Sequence, residues 1–458
     1  FGGRSDCADS RRISKTPAGM SAGMKGAGNM QTMQQYITEM GLEYSQKQFD
    51  ACLTAFVSEM ERGLAGDASS LKMIPAYLDA QAPPSDGGPV IAIDMGGTNL
   101  RIALIEWKNG RMHFLDRRQY PMPGTQGNLE CSEFFEQIAE YLLPIADQSA
   151  RIGLCFSFPC EILPTLEGKV LNFNKEVSIR NASGALLGQE IDAALQRSGC
   201  RVRHRTCVIN DTVATLLGAR AQAVRDYAGY VGFILGTGTN SCYREKNTRI
   251  PKSEFLRKKK GYSLVNLESG GFSGLALNRV DQAFDAHTAA PGTQLFEKMI
   301  SGAYQGALAL AYLQDAARHG LLGQATAGRL PALSVLQPQQ VDAFCLDPCG
   351  DNVLSQMLPD TQSRESAILL LNGLFDRASM LTVCNWAAVL KKMAADGKSN
   401  LPYCISAEGS TFYKCRPLHT RILSCAESQL NQRLGLAVEI IRAEESTLMG
   451  SALAALWG

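Results

Sequence analysis

An excess of charge of either sign is missing from this chain: 45 Lys and Arg stand against 44 Asp and Glu, a formal net charge of +1. Such balance offers no electrostatic footprint for nucleic acid or an anionic membrane surface. The densest basic run, Lys258-Lys259-Lys260, reads as a solvated loop. Long apolar stretches are missing as well, and no uninterrupted one reaches the roughly 18–20 residues that cross a bilayer. The 14 cysteines include no Cys-x-x-Cys pair, which removes the zinc and dithiol readings for want of ligands. Thiols so scattered, several of them inside apolar runs (Cys155, Cys160, Cys207, Cys242, Cys404), fit a reducing, cytoplasmic setting. No apolar core of a secretory signal opens the chain. Residues 1–30, rich in Gly, Ser, Ala and Met, read as a disordered or artefactual extension.

What is present is a pair of glycine turns. Ile93-Asp94-Met95-Gly96-Gly97-Thr98-Asn99-Leu100-Arg101 lies between the apolar runs 90–93 and 102–105, which predicts a β-hairpin. Without Cβ atoms, Gly96 and Gly97 permit positive φ and a close approach of ligand to backbone. Asp94 and Arg101 add an acid and a fixed cation beside that turn, and Thr98 adds a hydroxyl. The second turn, Gly236-Thr237-Gly238-Thr239-Asn240, again ends an apolar run, 230–235, and leads into a strand. Neither turn has the Gly-x4-Gly-Lys-Ser/Thr of a P-loop, and neither feeds the helix of a Gly-x-Gly-x-x-Gly dinucleotide fold. Two opposed hairpin turns gripping one nucleotide point instead to an actin-like ATPase architecture.

The order of elements agrees. Strands near 90–94, 100–107 and 112–120, a helix near 131–147, a strand 152–158, a helix near 186–195 and a strand ending at Asn210-Asp211 form one unit. A second meander over 229–243 and 261–268 is followed by a largely helical stretch, a strand at 403–406, a helix near 418–433, a strand at 438–441 and a terminal helix, 446–457. The echo predicts two related lobes with a cleft between them. Ser157, Asn210, Asp211, Asn240, Glu268 and Glu297 all fall at the ends of elements. Amides and carboxylates of this kind satisfy sugar hydroxyls, each of which both donates and accepts. Taken singly, each has a plainer reading; Asn210-Asp211 before Thr212 also has the form of a helix cap.

Six blocks carry a family resemblance: IAIDMGGTNLR (91–101), FSFPC (156–160), VINDTVATLLGAR (208–220), LGTGTNSCY (235–243), NLESGGF (266–272) and FEKMISGAYQGAL (296–308). On them the chain resembles the eukaryotic-type hexokinases. The resemblance implies an α/β, two-lobed actin-like ATPase (ribonuclease H-like) fold with a cleft between a small domain, 89–211, and a large domain, 212–443. Residues 31–88 would be a helical part of the large domain, and 444–458 a helix returning to the small one. It also implies phosphorylation of the 6-hydroxyl of a hexose (glucose first, also mannose or fructose) by ATP with Mg²⁺, feeding glycolysis, in a cytoplasmic monomer or homodimer. The alternative is a catalytically idle sugar sensor or an actin-like scaffold.

By the same resemblance Asp211 is the general base. Ser157, Asn174, Lys175, Asn210, Asn240, Glu268 and Glu297 bind sugar, and Lys175 also neutralises the γ-phosphate. Gly96, Gly97, Thr98, Asn99, Arg101 and Thr237 belong to the phosphate site, with Gly409 and Ser410 at the adenosine end. Asp94 holds Mg²⁺ through water, with no direct protein ligand to the metal. The chain departs from the family pattern at Asn174, where threonine is usual, and at Glu408-Gly409-Ser410, where Asp-Gly-Ser is usual. A third departure is Glu445-Ser446-Thr447-Leu448, in place of a glycine-rich Asp-Gly-Ser-Gly turn.

Overall fold

The computed structural model describes residues 24–79, 87–173, 177–397 and 399–458, with side chains from residue 32 onward. Two sheets organise it. In the first, β1 (Gly87–Met95), β2 (Asn99–Lys108) and β3 (Arg111–Pro121) form an antiparallel meander, and β4 (Arg151–Phe156) and β5 (Arg205–Ile209) run parallel to β1. The order across this sheet is β3-β2-β1-β4-β5. In the second, β6 (Gly229–Leu235), β7 (Thr239–Lys246) and β8 (Tyr262–Asn266) repeat the meander, and β9 (Tyr403–Glu408) and β10 (Val438–Ile441) repeat the parallel pair. Its order, β8-β7-β6-β9-β10, is the same topology a second time, with the short strand Ile74–Pro75 added beside β8. Each lobe is therefore a ribonuclease H-like unit, and the pair is the actin-like fold.

Helix formation follows apolar spacing. α1 (Met24–Glu39) is followed by α2 (Gln46–Ala65), which starts at a Ser45–Gln48 capping box and stops at Gly66 in the left-handed region. Its Phe49, Cys52, Leu53, Phe56 and Met60 form one buried stripe in the core of the second lobe. On the small lobe, α3 (Cys131–Ala146) and α4 (Leu187–Arg197) cover one face of the sheet through Phe134, Phe135, Ile138, Leu187 and Ile191. α5 (Asp211–Ala221) leaves the end of β5. The second lobe adds α6 (Leu295–Ile300), α7 (Gly302–Arg318), α8 (Thr361–Ala394) and α9 (Arg416–Ala426). By length and composition α8 could cross a membrane; here it runs through the protein core, with Leu370, Trp386 and Leu390 buried among large-lobe side chains.

α10 (Ser446–Trp457) closes the other face of the small-lobe sheet, setting Leu448, Ala452 and Ala455 on Val90, Ala92, Ala103 and Ile105. It crosses α5 at backbone contact. A Cβ on Gly450 would lie 2.0 Å from the carbonyl oxygen of Ala214, and one on Gly218 would lie 2.3 Å from that of Ser446. α5 in turn lies against the second lobe, where a Cβ on Gly232 of β6 would meet the Thr212 carbonyl at 2.3 Å.

Three expectations change. Residues 24–30, read as part of an irregular extension, belong to α1, while residues 1–23 lie outside the described residues. The strand expected over 152–158 ends at Phe156, and the one expected to end at Asp211 ends at Ile209. A small hairpin pairing Cys160–Ile162 with Gly168–Val170 has no counterpart in the sequence reading.

The α5–α10 contact generates a stability test. Gly→Ala inside a helix normally gains up to about 1 kcal/mol, but at Gly450 the methyl group meets backbone that cannot rotate away. Gly450→Ala should lower unfolding stability by about 1–3 kcal/mol, read by urea denaturation. Unchanged or raised stability would contradict the close crossing.

Candidate active site

A cleft of about 1020 Å³ lies between the lobes and receives the C-terminal ends of the parallel strands, where open α/β sheets place their ligands. From the small lobe it is lined by Gly97 and Thr98 of the first turn, by Ser157 beyond β4 and by Asn210 and Asp211 beyond β5. From the large lobe come Thr237 and Gly238 of the second turn, Asn240, Glu268 and Glu297. Residues read separately from the sequence thus share one space.

The capping reading and the functional reading of Asn210-Asp211 both hold. Asn210 is the N-cap of α5 and accepts the Thr212 amide through Oδ1 at 2.9 Å. Asp211 is the first helical residue, and its Oδ1 accepts the Thr212 amide and hydroxyl at 2.7 and 3.2 Å. The cap fixes where α5 begins, and that start aims the carboxylate into the cleft.

On the facing wall two acids are held by neutral donors. Glu268 adopts left-handed backbone, φ 58°, which costs a non-glycine residue of order 1 kcal/mol or more. Its Oε1 accepts from Asn266 at 2.8 Å and from Asn240 at 3.2 Å, and Asn240 also donates to Asn266 Oδ1 at 2.7 Å. Glu297, on α6, accepts the Thr239 amide of the second turn at 3.0 Å. A side chain at Gly238 would collide with it, its Cβ lying 2.5 Å from Glu297 Oε2. Burial pushes the Glu297 carboxyl above its usual range; the Thr239 amide opposes this and the neighbouring Glu268 adds to it.

Thr237 and Ala303 connect the cleft to a second cavity of about 250 Å³, lined also by Gln305, Gln339, Asp342, Ser410 and Lys414. Gly409, φ 111°, lies against the second turn, where a Cβ would stand 2.2 Å from the Leu235 carbonyl.

Two models described as hexokinase match residues 34–221 and 230–457. The chain is 30% identical to hexokinase-5 of Oryza sativa subsp. japonica, over 83% of this chain and 80% of that protein. It is also 30% identical to hexokinase-1 of Arabidopsis thaliana, over 88% and 86%. The chain belongs to the hexokinase family. Hexokinase-3 of Mus musculus is 28% identical, and the chain spans only 44% of that protein's length. In fold the chain is similar to a structure of a hexokinase from Schistosoma mansoni complexed with glucose, TM-score 0.73 and 22% identity over 93% of this chain and 99% of that one.

Not every residue expected in this hexokinase-family site lines the cleft among the described residues. Asn174 and Lys175 lie outside the described residues. Gly96 and Gly97 do not adopt positive φ, so their contribution is bare backbone rather than a special torsion. Asp94 and Arg101 face each other across β1 and β2 and are not among the groups lining the cleft. Asp94 is only 6% exposed; its Oδ2 accepts from Arg101 Nε at 3.0 Å and from Arg101 Nη2. Burial opposes the Arg101 charge, but Asp94 and Glu445 outweigh it and hold the guanidinium above its ordinary value. Arg101 is therefore a partner of carboxylates in this conformation, not an open phosphate donor. Asn99 is exposed and bonds its neighbours Thr98 and Gln119 instead.

Other cleft residues escaped the sequence reading. Asn266 stands two residues before Glu268 in the NLES block, a spacing that could have revealed it. Gln294 has left-handed backbone, φ 51°, in a loop with no pattern to single it out. Lys72 reaches the cleft from the N-terminal segment, with Nζ 4.0 Å from Glu268 Oε2.

The raised Glu297 carboxyl has a signed consequence. A carboxyl raised by the fold contributes stability below its unfolded pKa, and that contribution is lost as pH rises through the folded value. Glu297→Gln should therefore raise the melting temperature at pH 7 more than at pH 4, while weakening hexose binding. An equal shift at both pH values, measured by differential scanning fluorimetry, would contradict the burial argument.

Proposed function

We propose that this chain transfers the γ-phosphoryl group of ATP to the 6-hydroxyl of a hexose. Glucose is the first candidate, with mannose or fructose as others. The observation that carries the reading is that Asp211 shares one cleft with Thr98 and Thr237, the tips of opposed turns from the two lobes. The names of the relatives support it, as does a wall that matches sugar hydroxyls with paired amides and acids.

Each role follows from the chemistry of the group. Asn210, Asn240, Glu268 and Glu297, with Ser157, would hold the hydroxyls; the family resemblance adds Asn174 and Lys175. Asp211 would accept the proton of the 6-hydroxyl as that oxygen bonds to the γ-phosphorus and the bond to the β-phosphate oxygen breaks, releasing ADP. The transition state of such a transfer is loose, so placement matters more than base strength. Thr98 and Thr237 would hold the phosphates, and the chamber at Ser410 and Lys414 would take the adenosine end.

Among the described residues no three His, Cys, Asp or Glu side chains gather to hold a metal. Asp94, held by Arg101 and Thr447 beside the first turn, would be the residue to hold a nucleotide-borne Mg²⁺ through water. When bound, that ion would neutralise phosphate charge. Because water competes with the sugar, closing the lobes over the substrates would exclude it. A free cytoplasmic enzyme serving glycolysis, as a monomer or homodimer, completes the proposal.

A coupled ADP-release assay with a hexose panel and a no-sugar control tests it. Release should depend on hexose, and Asp211→Ala should lower turnover about 10²–10⁴-fold. Sugar-independent release, or near-normal turnover in the variant, would overturn the assignment.

A further inference from the structure

The departures from the family pattern at 408 and at 445–447 meet in space. Ser446, the first residue of α10, donates its hydroxyl to Glu408 Oε1 at 2.9 Å, joining the end of a large-lobe strand to the helix that covers the small-lobe sheet. One residue on, the Thr447 hydroxyl lies 2.9 Å from Asp94 Oδ2 and 2.8 Å from Arg101 Nη2. One residue back, Glu445 adopts left-handed backbone, φ 48°. Its carboxylate bonds Arg101 Nη1 at 3.1 Å through one oxygen and pairs with Arg117 through the other. Three consecutive side chains thus hold the Asp94–Arg101 pair beside the first glycine turn and the Glu408 carboxyl beside the second.

We propose that Thr447 is a positioning residue for the nucleotide site, and that Ser446 and Glu408 act with it as one coupled unit. The proposal rests on the phosphoryl-transfer reading above. The chemistry is directional. Oδ2 of Asp94 is filled by Arg101 and Thr447, and none of these bonds goes to Oδ1. The loaded oxygen fixes the plane of the carboxylate, with the buried Cys155 thiol as a further partner of Asp94, and so fixes how the group is presented beside the first glycine turn. With Thr447 removed, Arg101 remains but Oδ2 loses one of its three bonds.

The Ser446 bond reaches the opposite lobe. A serine has a hydroxyl for Glu408 to accept where a glycine has none, and the glutamate is one methylene longer than the aspartate usual at its position. Each departure gives the other a partner, and the resulting bond ties the wall of the adenosine chamber to the helix that steadies Asp94. Glu408 is half-buried; burial pushes its carboxyl up, and the Ser446 hydroxyl opposes that rise. An unpartnered Glu408 at this place would be costly.

The test measures binding apart from turnover. Isothermal titration of Mg-ADP into Thr447→Val should show affinity reduced about tenfold, the loss expected for a bond to a charged group. Hexose affinity should stay within about twofold, and Thr447→Ser should restore nucleotide binding. A double-mutant cycle of Ser446→Ala and Glu408→Gln on the same affinity should be non-additive. Wild-type affinity in Thr447→Val, an equal loss of hexose affinity, failure of Thr447→Ser to restore, or additive effects in the cycle would overturn the proposal. Hexose-dependent ADP release by the unaltered chain reports separately on the phosphoryl-transfer reading, so the two can fail independently.

Discussion

The crossing of α5 and α10 is the constraint on which the site depends. α5 begins at Asp211 and lies against β6 of the large lobe, and α10 lies against the small-lobe sheet. Glycines at 218 and 450 let their backbones approach at contact distance. Asp211 is therefore set by a helix in contact with both lobes, while the turns at 97–98 and 237–238 belong to one lobe each.

The facing wall is held by hydrogen bonds within the large lobe. Glu268 and Gln294 occupy left-handed backbone, and Glu268 is held by two amides rather than by a cation in close contact. Neutral donors keep both acids available as acceptors, whereas a tight salt bridge would consume them. Backbone strain and buried charge are borne by the surrounding core, which includes the stacked Phe56 and Phe272 rings and the edge-on Phe296 that begins the turn bearing Glu297. Stability given up at the site is compatible with a large, closely packed lobe beneath it.

Much of this was legible in the residues. The two glycine turns announced the two meanders, and the repeated order of strands and helices announced the two lobes, because apolar periodicity is a local signal. Ser157, Asn210, Asp211, Asn240, Glu268 and Glu297 could be collected because each lies at or near the end of an element, and strand ends meet at one edge of a sheet. Pairings made across hundreds of residues were not legible. Arg101 reads as a phosphate donor in isolation, yet Glu445 and Thr447, distant in sequence, turn it toward Asp94. The Ser446–Glu408 bond escaped for the same reason, since each departure looks like a separate loss until the fold joins them. Left-handed backbone at Gln294 and Glu445 leaves no mark on side-chain pattern.

The central claim is that the Asp211 carboxylate faces phosphates held between the opposed turns. A crystal structure with a hexose and a non-hydrolysable ATP analogue tests it most directly. The account expects the sugar 6-oxygen within hydrogen-bond reach of Asp211 and in line with the γ-phosphorus, with the phosphates between Thr98 and Thr237. A different hydroxyl beside Asp211, or phosphates bound away from either turn, would contradict it.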